Sequence, residues 1–411
     1  MDRTKKLEYA KQLFVPGKLT FVMDVQFGSS GKGKVASCVG ESNKGKFQFA
    51  CNAFSAQAGH WVKLDDGRQY FYQQLNSVAY NPDLYEKLYI GPASCMELPA
   101  LLNEIKKNKV PKGALGISPL ATIILDEDME YERGTRPFDH FGAKEEGLAK
   151  HTGTSANGST CHGVGSATAR KVLRRPSVLL ARDVPELDEY ICDVSTEILD
   201  RLDRGESGLL EIAQGFPLSL NYGFYPACTS RNVTVPQALS DMMLPVSVAG
   251  PVVFNMRTFP IRINSNKYIG LDGKHLTWAD VQAGVPHTVY KGNSGGWFPD
   301  QYELSWDELT RNSGSKVDLT EQTSVTKLPR RIATFSQMNL LEALKYNDTG
   351  YAPTLSLNFV NYIDANMLGK RSESDLTYKY WSWLKANIPY RLVDCVRYIG
   401  TGPLTNDTIM M

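Results

Sequence analysis

The chain reads as an α/β protein: one large P-loop-like domain around a mainly parallel central sheet, with long loops that close over substrate. Three observations carry that reading. Leu19–Val39 runs strand, glycine-rich turn, helix; strand-like and helix-like segments then alternate to the end; and two long polar stretches, 127–165 and 291–330, interrupt them. Residues 1–18, polar and basic, are set apart as a short N-terminal extension, and 19–411 form the domain.

Leu19–Phe27 is rich in β-branched and aromatic residues and reads as a buried strand. Gly28-Ser29-Ser30-Gly31-Lys32-Gly33-Lys34 supplies three glycines and two lysines, and Val35–Val39 opens a helix. This geometry aims backbone N–H groups and a helix N-terminus at an anion. Gly28-x4-Gly33-Lys34 fits the phosphate-loop spacing, with Val35 where a magnesium-binding Ser or Thr is expected. The bland alternative is a glycine-rich surface turn.

Phe47–Phe54 is a second strand, and Trp61–Phe71 folds back as a hairpin about Asp65-Asp66-Gly67. Leu88–Ile90 and Ala121–Leu125 are short strands, with helical spacing in Leu98–Lys107 between them. Helices are expected at Val164–Arg175, Leu187–Leu202 and Gln237–Met243, and strands at Leu209–Ala213 and Val246–Asn255. Ser305-x-x-Glu308 is a helix start. Arg331–Phe335, Thr354–Ile363 and Val393–Gly400 read as strands, Met338–Leu344 and Thr377–Ala386 as helices. Loops as long as 127–165 inside a compact domain are commonly functional, and this one reads as mobile and substrate-closing.

Composition bounds the partners. With 42% hydrophobic and 22% charged residues the chain can bury a sizeable core, and a net charge of +1 gives no general attraction to nucleic acid or membrane. Any anion is therefore held by placed residues. The seven cysteines are scattered without a CxxC, which points to a reduced, cytoplasmic setting and no structural zinc. Neither a signal peptide nor a membrane-spanning run is evident.

Several motifs, in order from residue 19 to 403, resemble adenylosuccinate synthetase. QFGSSGKGK at 26–34 is similar to that family's GDEGKGK loop, AQAGH at 56–60 to NAGH, and EIAQG at 211–215 to EGAQG. FYPACTSRN at 224–232, GVGSATARKVLRR at 163–175 and GTGP at 400–403 also have family counterparts. The resemblance implies an enzyme that phosphorylates the purine 6-oxygen and then lets the amine of aspartate displace phosphate. Gly28, Ser30, Gly31, Gly33 and Lys34 would form the nucleotide-phosphate loop, and Lys32 would meet the transferring phosphoryl group. His60, more often a structural residue when alone, becomes by its context the general acid, typically worth 10²–10⁴-fold. Gln214 would hydrogen-bond the purine, and Ser155, Thr229 and Asn232 would hold the monophosphate. Arg174 would reach the partner's substrate in a homodimer, its alternative being a solvated charge on a basic helix face (Arg170, Lys171, Arg174, Arg175). Thr323, Ser324, Thr326 and Arg330 fall on the aspartate-binding loop, where an arginine can clamp a carboxylate. Asn361, Asp364, Gly400, Gly402 and Pro403 fall on the donor-base pocket, and Ser29 and Gly59 on magnesium ligands.

The departures matter equally. The family aspartate that removes the N1 proton and helps hold Mg²⁺ is Ser29 here, which marks the phage-type branch, 2-aminoadenylosuccinate synthetase. A shorter Ser29 leaves room for the N2 amino group of guanine. Leu328-Pro329 replaces arginines near the ribose hydroxyl, which suits deoxyribose, and Tyr362 replaces a lysine that covers the donor base. The expected activity is condensation of dGMP with L-aspartate, driven by ATP or dATP with Mg²⁺. The alternatives are an ordinary adenylosuccinate synthetase acting on IMP with GTP, and a nucleotide-binding regulator without catalysis.

Overall fold

The computed structural model describes residues 12–53, 55–133, 160–264, 266–271, 274, 276, 278–290, 294–323 and 328–411. Nine strands form the central sheet: β1 Leu19–Asp24, β2 Phe49–Asn52, β3 Lys87–Ile90, β4 Leu115–Ile117, β5 Gly208–Glu211, β6 Ala249–Arg257, β7 Thr354–Asn358, β8 Val396–Gly400 and β9 Thr408–Met410. Their spatial order is β9-β8-β7-β6-β1-β5-β2-β3-β4. Every pairing is parallel except β8 with β9.

A parallel sheet must be covered on both faces, and β1 shows how the sequence meets that demand. All six of its residues are buried. Leu19, Phe21 and Met23 join one apolar cluster with the helices Val194–Asp203, Val235–Asp241, Gln337–Tyr346 and Tyr378–Asn387. Val22 turns to the other face, under α1 (Lys32–Ser42) and the helix Leu98–Asn108. Each fully buried Leu, Val or Phe contributes about 1.5–3 kcal/mol. Leu13 and Phe14, just ahead of β1, are buried in that second cluster.

The carboxyl ends of the strands carry polar residues where their interiors are apolar. Asp24, Asn52, Glu211, Arg257 and Asn358 end β1, β2, β5, β6 and β7, and all are buried. Such residues rim the crevice at which open α/β sheets bind ligands.

Several expected elements differ. The strand expected over Leu19–Phe27 stops at Asp24, because the Asp24 carboxylate turns the chain by accepting the Gln26 N–H. The single helix expected over Leu187–Leu202 is two pieces, a 3₁₀ turn Pro185–Tyr190 and an α-helix begun by Asp193, whose carboxylate accepts the Thr196 N–H. Asp126–Arg133, expected as loop, is a helix with three acidic residues in its first turn. Residues 134–159, the rest of the first long loop apart from 160–165, lie outside the described residues. Arg331–Ala333 belongs to a separate three-stranded antiparallel sheet with Ile261–Arg262 and Glu303–Leu304. The Thr354 strand ends at Asn358, where Phe359 takes a positive φ of 61°. Ser305 caps Trp306–Ser313 as expected. Among the described residues no helix is long and apolar enough to cross a membrane.

Candidate functional site

The turn Gly28–Gly31 leaves β1 at the crevice and delivers α1, with Gly31 as its N-cap at φ 83°. Only glycine adopts that conformation without strain. A Cβ on Gly33 would meet the Trp61 carbonyl oxygen at 2.8 Å and His60 Cβ at 3.0 Å, so α1 lies directly on the hairpin His60–Lys63/Gln69–Tyr72. The glycines thus bring the N-terminal end of α1 and His60 together.

Lys32 turns into the crevice floor. Its Nζ donates to the carbonyls of Gly28 (2.8 Å) and Gln214 (2.7 Å) and lies 3.6 Å from Asp24 Oδ2. Burial lowers its pKa, with Asp24 and then Glu211 opposing. His60 is buried, and its Nδ1 sits 2.6 Å from Glu211 Oε1. Glu211 also accepts the Ser77 N–H and hydroxyl, each at 2.9 Å. Burial alone would raise the Glu211 pKa, but His60 and Ser77 outweigh it and hold the carboxyl below its usual range. A histidine oriented by a carboxylate on one nitrogen can work as acid or base through the other. Gln214 holds φ 64°, and its residue lines a cleft together with Gln57, Glu211, Arg231, Asn232 and Asp241.

Other expected substrate contacts are distributed around this cleft. Thr229 is fixed by its N–H to Leu218 O, and the Asn232 side chain accepts the Asn221 N–H, so both shape the 218–232 loop. Arg231 spans the cleft wall, donating to Ala53 O, Ser55 Oγ and Asp241. Ser155 lies outside the described residues. The supposed basic face of the helix Val164–Val172 divides in two: Arg170 is buried against Asp128, and Lys171 donates to Pro92 O and Leu120 O. Arg174 and Arg175 alone of the four are exposed.

On the other side of α1, Lys34 Nζ donates to Gly402 O (2.7 Å) and Asp407 O (2.6 Å), and burial lowers its pKa to about 8. Gly400 abuts Asn358, whose amide holds Ser30 O. Gly402 is half-buried and Pro403 exposed beside it. Asp364 is buried and caps a short 3₁₀ turn through the Asn366 N–H, and Asn361 precedes it half-buried. Tyr362 is turned inward, donating to Glu321 at 2.9 Å.

The expected aspartate loop begins and ends in order. Thr323 Oγ1 accepts the Leu328 N–H, and Arg330 N donates to Glu321 O. Burial lowers the Arg330 pKa, with Glu321 opposing. Ser324 and Thr326 lie outside the described residues. Behind this loop Arg257, fully buried, pairs with Glu321, donates to Ser29 O at 3.1 Å and stacks 3.9 Å from the Phe359 ring centre. The half-buried Ser29 and Glu321, just ahead of Thr323, are therefore joined by one arginine.

The candidate magnesium ligands are neutral oxygens: Ser29, half-buried, and Gly59, exposed. Among the described residues no group of three His, Cys, Asp or Glu could cage a metal. This donor set fits a cation that arrives on a nucleotide's phosphates and keeps its waters.

Sequence reasoning missed Asp24, Glu211, Arg231 and Arg257. Two of them carried a readable signal: Asp24 is a charge inside an apolar strand, and Glu211 opens the EIAQG motif.

Comparison with known proteins gives the chain its family. Residues 21–181 match the adenylosuccinate synthetase family model. The chain is 31% identical over 396 residues to the N6-succino-2-amino-2'-deoxyadenylate synthase of Vibrio phage phiVC8, covering 94% of this chain and 96% of that protein. The structure is similar to the cyanophage S-2L succinoaminodeoxyadenylate synthetase bound to dGMP and to dATP as energy donor, with TM-score 0.69, 30% identity and coverage of 96% and 95%. It also shares its fold with the fully ligated adenylosuccinate synthetase of Plasmodium falciparum, with TM-score 0.63, 16% identity and coverage of 96% and 100%. Relatives of that identity over nearly the whole chain, on a shared fold, identify it as a member of the adenylosuccinate synthetase family of ligases.

Proposed function

We propose that this ligase condenses dGMP with L-aspartate at purine C6, giving 2-amino-N6-succinyl-dAMP, ADP (or dADP) and phosphate, with ATP or dATP as donor. The observation that carries the proposal is the residue at the phosphate turn. Ser29 stands where the family has a carboxylate, while Lys32, His60 and Gln214 remain gathered around the same crevice. A hydroxyl there leaves space for an exocyclic amine and can accept its hydrogen bond.

In the first step the purine O6 attacks the γ-phosphorus, the N1 proton leaves, and the bond to the bridging β,γ-oxygen breaks. Lys32 and the Gly28–Gly33 backbone neutralise the moving phosphoryl group. In the second, the aspartate amine attacks C6, sheds a proton, and the C6–O6 bond breaks as phosphate departs. His60, turned by Glu211, holds a proton toward O6 in the first step, and Gln214 orients the base. Thr323, Ser324, Thr326 and Arg330 bind the aspartate. Ser155, Thr229, Asn232 and, from the partner of a homodimer, Arg174 bind the nucleotide phosphate. Asn361, Asp364, Gly400, Gly402 and Pro403 line the donor-base pocket. Ser29 and the Gly59 carbonyl would hold Mg²⁺, which supplies charge neutralisation on the donor phosphates. The same reading puts the protein in the cytoplasm.

The test is nucleoside diphosphate release from IMP, GMP and dGMP, each crossed with ATP, dATP and GTP, with and without aspartate. We expect aspartate-dependent release with dGMP and an adenine donor. Brisk turnover of IMP with none of dGMP rules the proposal out.

A further inference from the structure

Asp24 ends β1 with a carboxylate in an otherwise apolar run and is fully buried. Its Oδ1 accepts the Gln26 N–H at 2.6 Å. Its Oδ2 has no hydrogen bond from the described residues and lies 3.6 Å from Lys32 Nζ. The same ammonium donates to Gly28 O and Gln214 O. Three separate pieces of chain thus surround one cation: the end of β1, the phosphate turn, and the segment after β5.

A carboxylate this deep in a protein persists only where a cation compensates it. Glu211 is the other acid facing Lys32, with His60 beyond it, but its oxygens already serve His60 and Ser77. The free oxygen of Asp24 has Lys32 as its counter-charge. Burial drives the Lys32 ammonium toward the neutral amine, and Asp24 is the foremost group opposing that loss.

We infer that Asp24 is a positioning residue for phosphoryl transfer: it draws the Lys32 ammonium under the Gly28–Gly31 turn, where two carbonyls fix its direction before the donor arrives. Asp24 acts through Lys32 and touches no reacting atom. The inference rests on the ligase reading above, since an oriented cation matters there for the group in flight. Misplacing such a group by about 1 Å costs on the order of 100-fold in rate.

The experiment is a double-mutant cycle of Asp24→Asn and Lys32→Ala, read as kcat and KM for nucleoside diphosphate release. It is run with whichever purine monophosphate the native enzyme turns over, so a preference for IMP defeats the proposed substrate without touching this inference. Asp24→Asn should lower kcat about 100-fold with KM for the monophosphate within about threefold. In the Lys32→Ala background the same change should cost less than about threefold. Asp24→Glu keeps the charge and should recover at least about tenfold of the loss. Equal losses in both backgrounds, or no recovery with Glu, overturn the inference. A readout without turnover accompanies it: the Lys32 ε-carbon resonance, assigned by its disappearance in Lys32→Arg, should move in Asp24→Asn and move back toward its native position in Asp24→Glu. An unmoved resonance in folded Asp24→Asn overturns the inference whatever the activity.

Discussion

On one side of the glycine loop Lys32 meets a carboxylate; on the other, two residues along the same helix, Lys34 donates to two backbone carbonyls. Both lysines are buried, and burial lowers the pKa of each. The Lys32 side compensates its charges in pairs, Asp24 with Lys32 and Glu211 with His60, at the ends of neighbouring strands β1 and β5. The Lys34 side ties its cation to the backbone of the segment 402–407. A paired site sets each buried ion beside an opposite charge. A carbonyl-bound lysine serves as a clasp.

That contrast can be broken most sharply at Glu211. Glu211→Gln removes one half of a buried pair, which typically costs about 3–5 kcal/mol. Chemical denaturation at pH 7 should show that loss, and kcat should fall on the order of 100-fold as His60 loses its orientation. The pH dependence has a definite sign. The folded Glu211 pKa lies below its ordinary value of 4.5, so its stabilisation is complete above that pH and fades as pH falls through the lowered value. The variant should lose less stability than the native protein over that acid window. An equal acid response in both proteins would mean that the pair does not compensate Glu211.

Lys34 tests the other side. Its pKa falls from 10.5 to about 8 on folding, so the unfolded chain binds more protons between those values. Native stability should therefore gain up to about 3 kcal/mol relative to Lys34→Met as pH rises from 8 to 10.5. A flat difference across that range would mean that burial does not lower the Lys34 pKa.

The smallest expected effect lies at the turn between the two sides. Ser29→Asp should raise the kcat/KM ratio of IMP over dGMP by at least about tenfold, since it returns a carboxylate to the purine edge and fills the space of an amino group. An unchanged ratio would separate substrate choice from the turn altogether.

Much of the frame was legible because it depends on local pattern. The run Leu19–Met23, the Asp65-Asp66-Gly67 hairpin and the Ser305 cap each announce themselves within a few residues. The parallel sheet followed from strands and helices in alternation. What stayed hidden depends on contacts between distant segments. Nothing near Arg257 in sequence says that it joins Ser29 to Glu321, 64 residues away. Arg170 belongs to the basic run weighed as the alternative for Arg174, and nothing in that run points to Asp128 as its partner. The break at Asp193 was readable in principle, because Asp is a strong N-cap, but the apolar spacing across it suggested one continuous helix.

The Lys34 clasp has a consequence for biogenesis. Its two acceptors lie 368 and 373 residues downstream, so a nascent chain can present the glycine turn long before the partners of that helix exist. Contacts of such sequence separation form late. Nucleotide should therefore protect the turn of a ribosome-held intermediate only after the 402–407 segment has emerged from the exit tunnel.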